Sequence, residues 1–275
     1  MKGISAILII YNEEEALLSR CIESMNKCVN EIIVVHDGPA PKGIKSFLSK
    51  YNVRFFEQEH RGYMEAYLVF ALKKCKYDWV LRIDADEFLT RKLADNIQRA
   101  ITNKDYDSYS FLWPMYSQNR ERTKNGPYKR ILFRKSKISY IDLIHLNFIC
   151  DGKNLDLDYK LCHRPKYDNF SWKNFRTKWM RWADIEANSY FRDFKTIDKY
   201  NYKAKSWPKE IELTLKYPII SLIIYPPYSF VINTYRVILK NPYMVIVNYY
   251  YALYRAAVCW KIIKIKYFGK NNKSR

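Results

Sequence analysis

The sequence holds only seven glycines in 275 residues. That excludes an open Gly-rich architecture and any collagen-like repeat. Its six cysteines (Cys21, Cys28, Cys75, Cys150, Cys162 and Cys259) include no C-x-x-C pair. They sit mostly in apolar patterns and read as reduced core residues, not as a disulfide framework. No P-loop, G-x-G-x-x-G, G-x-S-x-G or H-E-x-x-H pattern occurs, which removes four common routes to catalysis or nucleotide binding. No internal repeat is present. The apolar run Ile4–Tyr11 is too short for a secretion signal and meets Glu13, Glu14 and Glu15 at once, so the working surface is expected to face the cytoplasm. Acidic residues are scarce late in the chain, where residues 201–275 hold thirteen Lys and Arg against Glu210 and Glu212 alone.

What is present can fill a core: 48% of residues are hydrophobic and 28% charged. The length suits one large domain plus a smaller appendage. The aromatic share is 17%, with 25 tyrosines, which suits clefts and membrane interfaces as well as cores. The net charge of +20 points to an anionic partner: nucleic acid, nucleotide phosphates or an acidic lipid surface.

The first half alternates strands and helices. Residues 4–10 form a continuous apolar run, expected as a strand buried on both faces. Asn12 with Glu15 has the pattern of a capping box, and a helix is expected to about Cys28. Strands follow at Glu31–His36, Val53–Phe56 and Asp78–Ile83, with helices at about Lys42–Tyr51 and after Gly62. This predicts a parallel sheet covered by helices, with ligands at the carboxyl ends of its strands. Three polar clusters stand there: Asn12-Glu13, Asp37-Gly38 and Asp84-Ala85-Asp86. Thr90–Thr102 reads as a helix, and Ser108–Pro114, Lys129–Arg134 and Ile144–Ile149 as strands of a more mixed part. A long helix is expected from Ser171 to about Phe194.

Asp84 and Asp86, two apart on an extended segment, would face one way and suit a hard divalent cation. The alternative is a solvated acidic turn. Asp37 is placed to accept hydrogen bonds from a base or ribose, and equally to form a turn before Gly38-Pro39. His145 follows a strand-like segment and reads as a metal ligand, a phosphate ligand or a structural residue. Lys178 and Arg181 share a helix face that would clamp a pyrophosphate or simply be solvated.

Taken together, these residues resemble the inverting glycosyltransferases of family 2, which have the GT-A fold. Ile7-Leu8-Ile9-Ile10-Tyr11-Asn12-Glu13 is similar to that family's first strand and Y-N-E turn. Val34-Val35-His36-Asp37-Gly38 is similar to its V-V-D-D-G motif, with His36 where Asp is usual. Leu81-Arg82-Ile83-Asp84-Ala85-Asp86-Glu87 is similar to its D-x-D signature. Arg130-Ile131-Leu132-Phe133-Arg134, His145, His163, Tyr167 and Lys178-x-x-Arg181-Trp182 resemble members that build lipopolysaccharide cores and other surface glycans. Leu146 stands where Glu is common, and no E-D dipeptide marks a catalytic base.

The resemblance implies a nucleotide-diphosphate sugar donor, most often UDP-linked. Tyr11, Glu13 and Asp37 would hold the nucleoside. Asp84 and Asp86 would face the ribose and a Mg²⁺ or Mn²⁺ ion, with His145 completing its shell. Lys178 and Arg181 would cover the pyrophosphate, with Arg61, in the Gly62 loop, as a further candidate. Asp142 is the candidate general base. A polyprenyl phosphate acceptor, already ionised, would need none. The expected fold is a Rossmann-like GT-A domain with a mixed sheet over residues 1–195, and a helical, basic, aromatic tail over 196–275.

Tyr217–Tyr235 carries no charge but is broken by Pro218, Pro226 and Pro227. Asn241–Trp260 is apolar and Tyr-rich, and Lys261, Lys264, Lys266, Lys270, Lys273 and Arg275 follow. Tyr and Trp beside Lys and Arg fit a segment lying on an anionic leaflet, with an oligomer surface as the alternative. The expected protein is therefore a peripheral, hexosyltransferase-type enzyme at the inner face of the cell membrane, acting on a lipid-linked or surface glycan. A nucleic-acid-binding protein is the competing class. The acidic cluster argues against a phosphate-backbone groove, and no nucleic acid is expected as partner. A catalytically dead scaffold is the third reading, opposed by the retained D-x-D.

Overall fold

The computed structural model describes residues 3–117, 120–123, 125–146, 148–165, 168, 170–237, 239 and 241–269. Tyr167, Lys270, Lys273 and Arg275, named above, lie outside the described residues. The chain divides into two compact units. The first comprises Met1–Asn119, Gly126–Lys166 and Asp198–Lys203; the second comprises Arg120–Asn125, Tyr167–Ile197 and Ala204–Arg275. The boundary expected between residues 195 and 196 falls within the second unit, where the Trp-rich helix packs on the tail.

The first unit is built on strand β1 (Ile4–Ile10), buried along its whole length as a two-face-covered strand should be. It pairs in parallel with β2 (Glu31–Asp37) on one side and β4 (Trp79–Arg82) on the other, and β2 pairs in parallel with β3 (Arg54–Gln58). Helix α1 (Glu15–Met25) buries Leu18, Cys21, Ile22 and Met25, the stripe read from the sequence. Its N-cap is Glu14, whose side chain makes no capping bond to the helix, so the expected Asn12–Glu15 capping box does not form. The Glu13 carboxylate instead accepts the Tyr11 backbone N–H, and this turn delays the helix. The helix expected after Gly62 begins as a 3-10 turn, Met64–Tyr67, and continues as an α-helix over Leu68–Lys74.

Beyond β4 the sheet becomes mixed. Its order is β3–β2–β1–β4, then the Tyr128–Arg134 strand, the Ser108–Leu112 strand, the Asn154–His163 strand and finally Glu87–Leu89. Tyr128–Arg134 runs antiparallel to both its neighbours. Two expectations need correction. Among the described residues of Ile144–Ile149 only Ile149 is in a strand: His145 has a φ of 59°, which turns the chain, and Ile149–Cys150 pairs beside Ile138–Ile141. Asn154–His163, unread in the sequence, is a ten-residue strand, with Leu155, Leu157, Tyr159 and Leu161 alternating against charged residues.

The second unit is helical. Trp172–Asn174 runs through a π-helical turn, Phe175–Trp179, into Met180–Ser189. Helices follow at Lys209–Lys216, Pro218–Val237 and Met244–Ile263. Buried Glu186 accepts bonds from Tyr254 Oη at 2.5 Å, Arg255 Nη1 at 2.7 Å and the Tyr190 hydroxyl. These contacts fix the Trp-rich helix to the Met244–Ile263 helix. Pro226 and Pro227, expected to break the apolar run, lie inside the Pro218–Val237 helix. Packing against Met244–Ile263 holds the helix together across the two missing N–H donors. Among the described residues, no helix is long and apolar enough to cross a membrane.

Candidate active site

Strands β1, β2 and β4 are neighbours and run the same way, so their carboxyl ends form one edge. Tyr11 and Glu13 follow β1, Asp37 ends β2, and Asp84 follows β4. The sequence clusters therefore meet along one edge, as the alternation of elements predicted.

At the β2 end, the Asp37 carboxylate is buried and multiply bonded. Its Oδ1 accepts the Arg61 N–H at 2.8 Å and its Oδ2 the Gly62 N–H at 3.0 Å. The Tyr67 hydroxyl also donates to Oδ1, and His60 Nδ1 lies 3.0 Å from it. Burial and the bond to Asp37 push the Tyr67 phenol far above its ordinary pKa, so it stays a donor. Asp37 thus pins the loop carrying His60, Arg61 and Gly62 to the sheet. Two residues at positive φ shape this corner, Gly38 at 95° and Gly62 at 76°. The Tyr11 ring, half exposed, stacks on His60 with centroids 5.0 Å apart, giving an open aromatic surface beside the carboxylate. Burial raises the pKa of Glu13 above its usual range, against the bond from the Tyr11 N–H.

Arg61 reaches away from this corner. Its Nη1 lies 3.1 Å from Asp142 Oδ2, while Tyr63 Oη donates to Asp142 Oδ1 at 2.9 Å. Asp142 is fully buried, and its own N–H bonds to Asp198 O at 2.9 Å. Burial opposes the Arg61 charge, but Asp142, Tyr63 and Asp198 together outweigh it and raise the guanidinium's pKa. The candidate base is therefore an enclosed anchor for Arg61 and Tyr63.

At the β4 end, Asp84–Glu87 forms a tight turn: Glu87 N–H donates to Asp84 O, and Asp84 N–H returns to Glu87 Oε2, each at 2.9 Å. The expected extended D-x-D is thus a turn, and its carboxylates have different partners. Lys129 Nζ sits between Asp84 Oδ2 at 2.5 Å and Glu87 Oε1 at 2.6 Å. Asp86 Oδ2 faces His163 Nε2 at 3.3 Å, and His163 stacks on Trp113 at 4.8 Å. Burial works to raise the Asp84 carboxyl, but the Lys129 and Arg82 charges outweigh it and hold it low, at about 2. Glu87 goes the other way: full burial raises it despite Lys129. Burial opposes the charged Lys129 in turn, and the two carboxylates outweigh that, keeping the ammonium protonated.

A hard cation fits part of this donor set. Asp84 and Asp86 each keep an oxygen outside the pairs above, and carboxylate oxygens are the donors Mg²⁺ and Mn²⁺ prefer. Among the described residues no three His, Cys, Asp or Glu side chains gather as a metal site. His145 is not brought to the acidic turn as a third ligand: it is exposed, and its backbone N–H bonds to Glu65 Oε1 at 3.3 Å. Two carboxylates, with water and substrate oxygens, are what the chain offers. Lys178 and Arg181 belong to the second unit, where Lys178 Nζ lies 4.7 Å from the Trp182 ring centre and Arg181 is exposed.

Sequence reasoning missed Lys129. Alternation along Tyr128–Arg134 misplaces it: the register slips between Arg130 and Leu132, so Lys129, opposite Phe111, shares a face with Leu132, opposite Tyr109, and its acidic partners come from the distant Asp84–Glu87 turn.

The fold and this edge define the class: an α/β protein whose polar groups converge at the carboxyl ends of parallel strands, where such sheets bind ligands. Residues 5–154 match the family model described as Glycosyl transferase family 2. That is more than half of the chain, and the chain belongs to this family. It is 35% identical over 107 residues to the lipopolysaccharide core biosynthesis glycosyltransferase LpsC of Rhizobium meliloti, covering 37% of this chain and 38% of that protein. It is 33% identical over 109 residues to an uncharacterized glycosyltransferase of Rickettsia felis, covering 40% and 38%. A Rickettsia bellii glycosyltransferase, also uncharacterized, is 29% identical over 150 residues, covering 52% and 50%. The chain thus spans half or less of the length of these relatives.

Proposed function

We propose that the protein transfers a sugar from a nucleotide-diphosphate donor, UDP-linked, to a lipid-linked or surface-glycan acceptor at the cytoplasmic face of a membrane. The observation that carries this reading is the shared edge where the Tyr11–Asp37 corner meets the Asp84–Glu87 turn. Tyr11 offers an aromatic face to a base, and Glu13 and Asp37 stand where a nucleoside's polar atoms would lie. Asp84 and Asp86 are the carboxylates for Mg²⁺ or Mn²⁺. When bound, such an ion would neutralise charge on the departing diphosphate. Lys129 fixes the position of Asp84, and Arg61, anchored by Asp142, holds its loop beside the donor.

A second reading concerns the acceptor. Asp142, the one candidate base, is enclosed and ion-paired. An acceptor phosphate, already ionised, attacks without a base, so a polyprenyl phosphate suits this site as well as a hydroxyl.

Thermal-shift measurements with UDP-sugars, with and without Mn²⁺, test the donor assignment. A donor at about one hundred times its Kd stabilises by about 2.7 kcal/mol. We expect a Mn²⁺-dependent rise in Tm that is absent in Asp86→Ala. No stabilisation by any nucleotide sugar would remove the reading. Labelled sugar recovered on isoprenoid phosphate or on a glycan acceptor, with the nucleoside diphosphate released in either case, separates the two acceptors.

A further inference from the structure

The helix Pro218–Val237 carries an exposed apolar face that no sequence periodicity alone could orient. Ile219, Ile220, Ile223, Ile224, Tyr228 and Val231 are all exposed, Ile223 to 68% and Val231 to 61%. At about 100° per residue they fall on one half of the helix circumference. The opposite half carries buried Pro218 and Pro226 and the partly covered Ser221, Leu222, Tyr225, Ser229 and Ile232, and the helix packs on Met244–Ile263. So many adjoining aliphatic side chains left in water mark a surface built to be covered.

The charge pattern selects what covers it. The Pro218–Val237 helix has no acidic residue, and Lys216 and Arg236 bracket its apolar face. At the far end of its neighbour, Trp260, Ile265 and Phe268 line an open groove together with Lys264. There, Lys264 lies 5.5 Å from the Trp260 ring centre and Lys266 5.6 Å from that of Tyr267. Aromatic rings with cations over their faces, beside an aliphatic face, match the layers of a bilayer surface: acyl chains, then glycerol level, then anionic headgroups. A second copy of the chain is the poorer partner. Joining two such faces would bring together two segments that each hold thirteen basic residues against two acidic ones.

We propose that the Pro218–Val237 helix lies flat in the surface of an anionic bilayer, its Ile219–Val231 face inserted among the acyl chains and the flanking Lys and Arg among the headgroups. This deepens the membrane part of the function proposed above and is independent of the transfer chemistry, since binding requires no donor. The bilayer supplies both the cover for the aliphatic face and the counter-charge for the tail.

Flotation of the full chain with vesicles of equal parts phosphatidylglycerol and phosphatidylcholine tests the assignment. The full chain should float, and Ile223→Glu with Ile224→Glu should lower the bound fraction at least tenfold. Both side chains are exposed, so the circular dichroism spectrum should be unchanged. Pure phosphatidylcholine vesicles should bind far less, and the residual binding should still fall in the double variant. Binding unaltered by the double variant would overturn the proposal, as would a stable dimer in lipid-free solution that the same substitutions split. Vesicle binding with no donor stabilisation would fail only the transferase reading, and the reverse result only this one.

Discussion

Glu87 is fully buried, and a carboxylate out of water needs a cation close by. Lys129 supplies it and shares its charge with Asp84. Lys129→Met should therefore lower unfolding free energy by about 3 kcal/mol, the usual cost of leaving one member of a buried pair uncompensated. Lys129→Arg, which keeps the charge, should lose less. Urea denaturation of the three proteins measures both, and a loss for Lys129→Met below about 1 kcal/mol would show that solvent balances the turn. A second carboxylate lies on the first unit away from the acidic turn. Glu31 accepts bonds from Ser5 Oγ at 2.6 Å, Lys76 N–H at 2.6 Å and Arg54 Nη1 at 2.7 Å. Burial alone would raise its pKa, but these bonds outweigh it and lower it. A lowered folded pKa means that the unfolded chain binds the proton more tightly. The stabilisation is then complete above the unfolded value of about 4.3 and disappears as pH falls through the lower folded value. Glu31→Gln should cost about 1.5–3 kcal/mol at neutral pH, and the gap to the wild type should close below about pH 4. A gap constant from pH 7 to pH 3 would contradict the assignment. At this scale the placement of Tyr11, Asp37 and Asp84–Glu87 at strand ends was legible in the sequence, because polar residues that follow buried apolar runs stand out; that Asp84–Glu87 turns back on itself was not. Lys129, His163 as partner of Asp86, and the enclosure of Asp142 were not, since each depends on strands distant in sequence.

At the scale of elements, β1 to β4 could be read to within one or two residues, and α1 to within about three. Two-face burial writes continuous Val, Ile and Leu runs, and the intervening helices are short and amphipathic. The mixed part was harder. Asn154–His163 alternates Leu with Asp and Lys, a half-covered pattern that also suits a loop, and its pairing with the Ser108–Leu112 strand is set by tertiary contact. The Pro218–Val237 helix shows the opposite failure, in which a strong local signal was overridden by packing. Pro227 is exposed within it, so its ring contributes little packing while it supplies no N–H to the helix ladder. Pro227→Ala should therefore stabilise the second unit by about 1 kcal/mol and raise Tm by a few degrees. Buried Pro226→Ala should gain less, because it also gives up packing. Calorimetry of the two variants decides. A lower Tm for Pro227→Ala would mean that the helix needs the bend the proline imposes.

At the scale of the whole molecule, the first unit closes at Lys203 and the second resumes at Ala204. The backbone over residues 201–208 is irregular, between the short Lys199–Tyr200 strand and the Lys209–Lys216 helix. Lys203, Ala204, Lys205 and Ser206 are all exposed. Proteases need about ten residues of accessible, locally unfolded chain, and such openings are least costly where backbone bonds and buried side chains are few. The chain holds 48 Lys and Arg, so trypsin has sites throughout, and the choice of first site reports local stability and not sequence alone. Brief digestion at low trypsin should cut first after Lys203 or Lys205, and the two pieces on either side of this stretch, held together by the contacts on Glu186 until denatured, are each identified by intact mass. Lys203→Gln with Lys205→Gln should delay the first cut several-fold without changing Tm, since neither side chain is buried. A first cut within Met180–Ser189 or Met244–Ile263 would instead show that the bonds converging on Glu186 do not hold the second unit together, and the division of the chain drawn here would have to be redrawn around the tail.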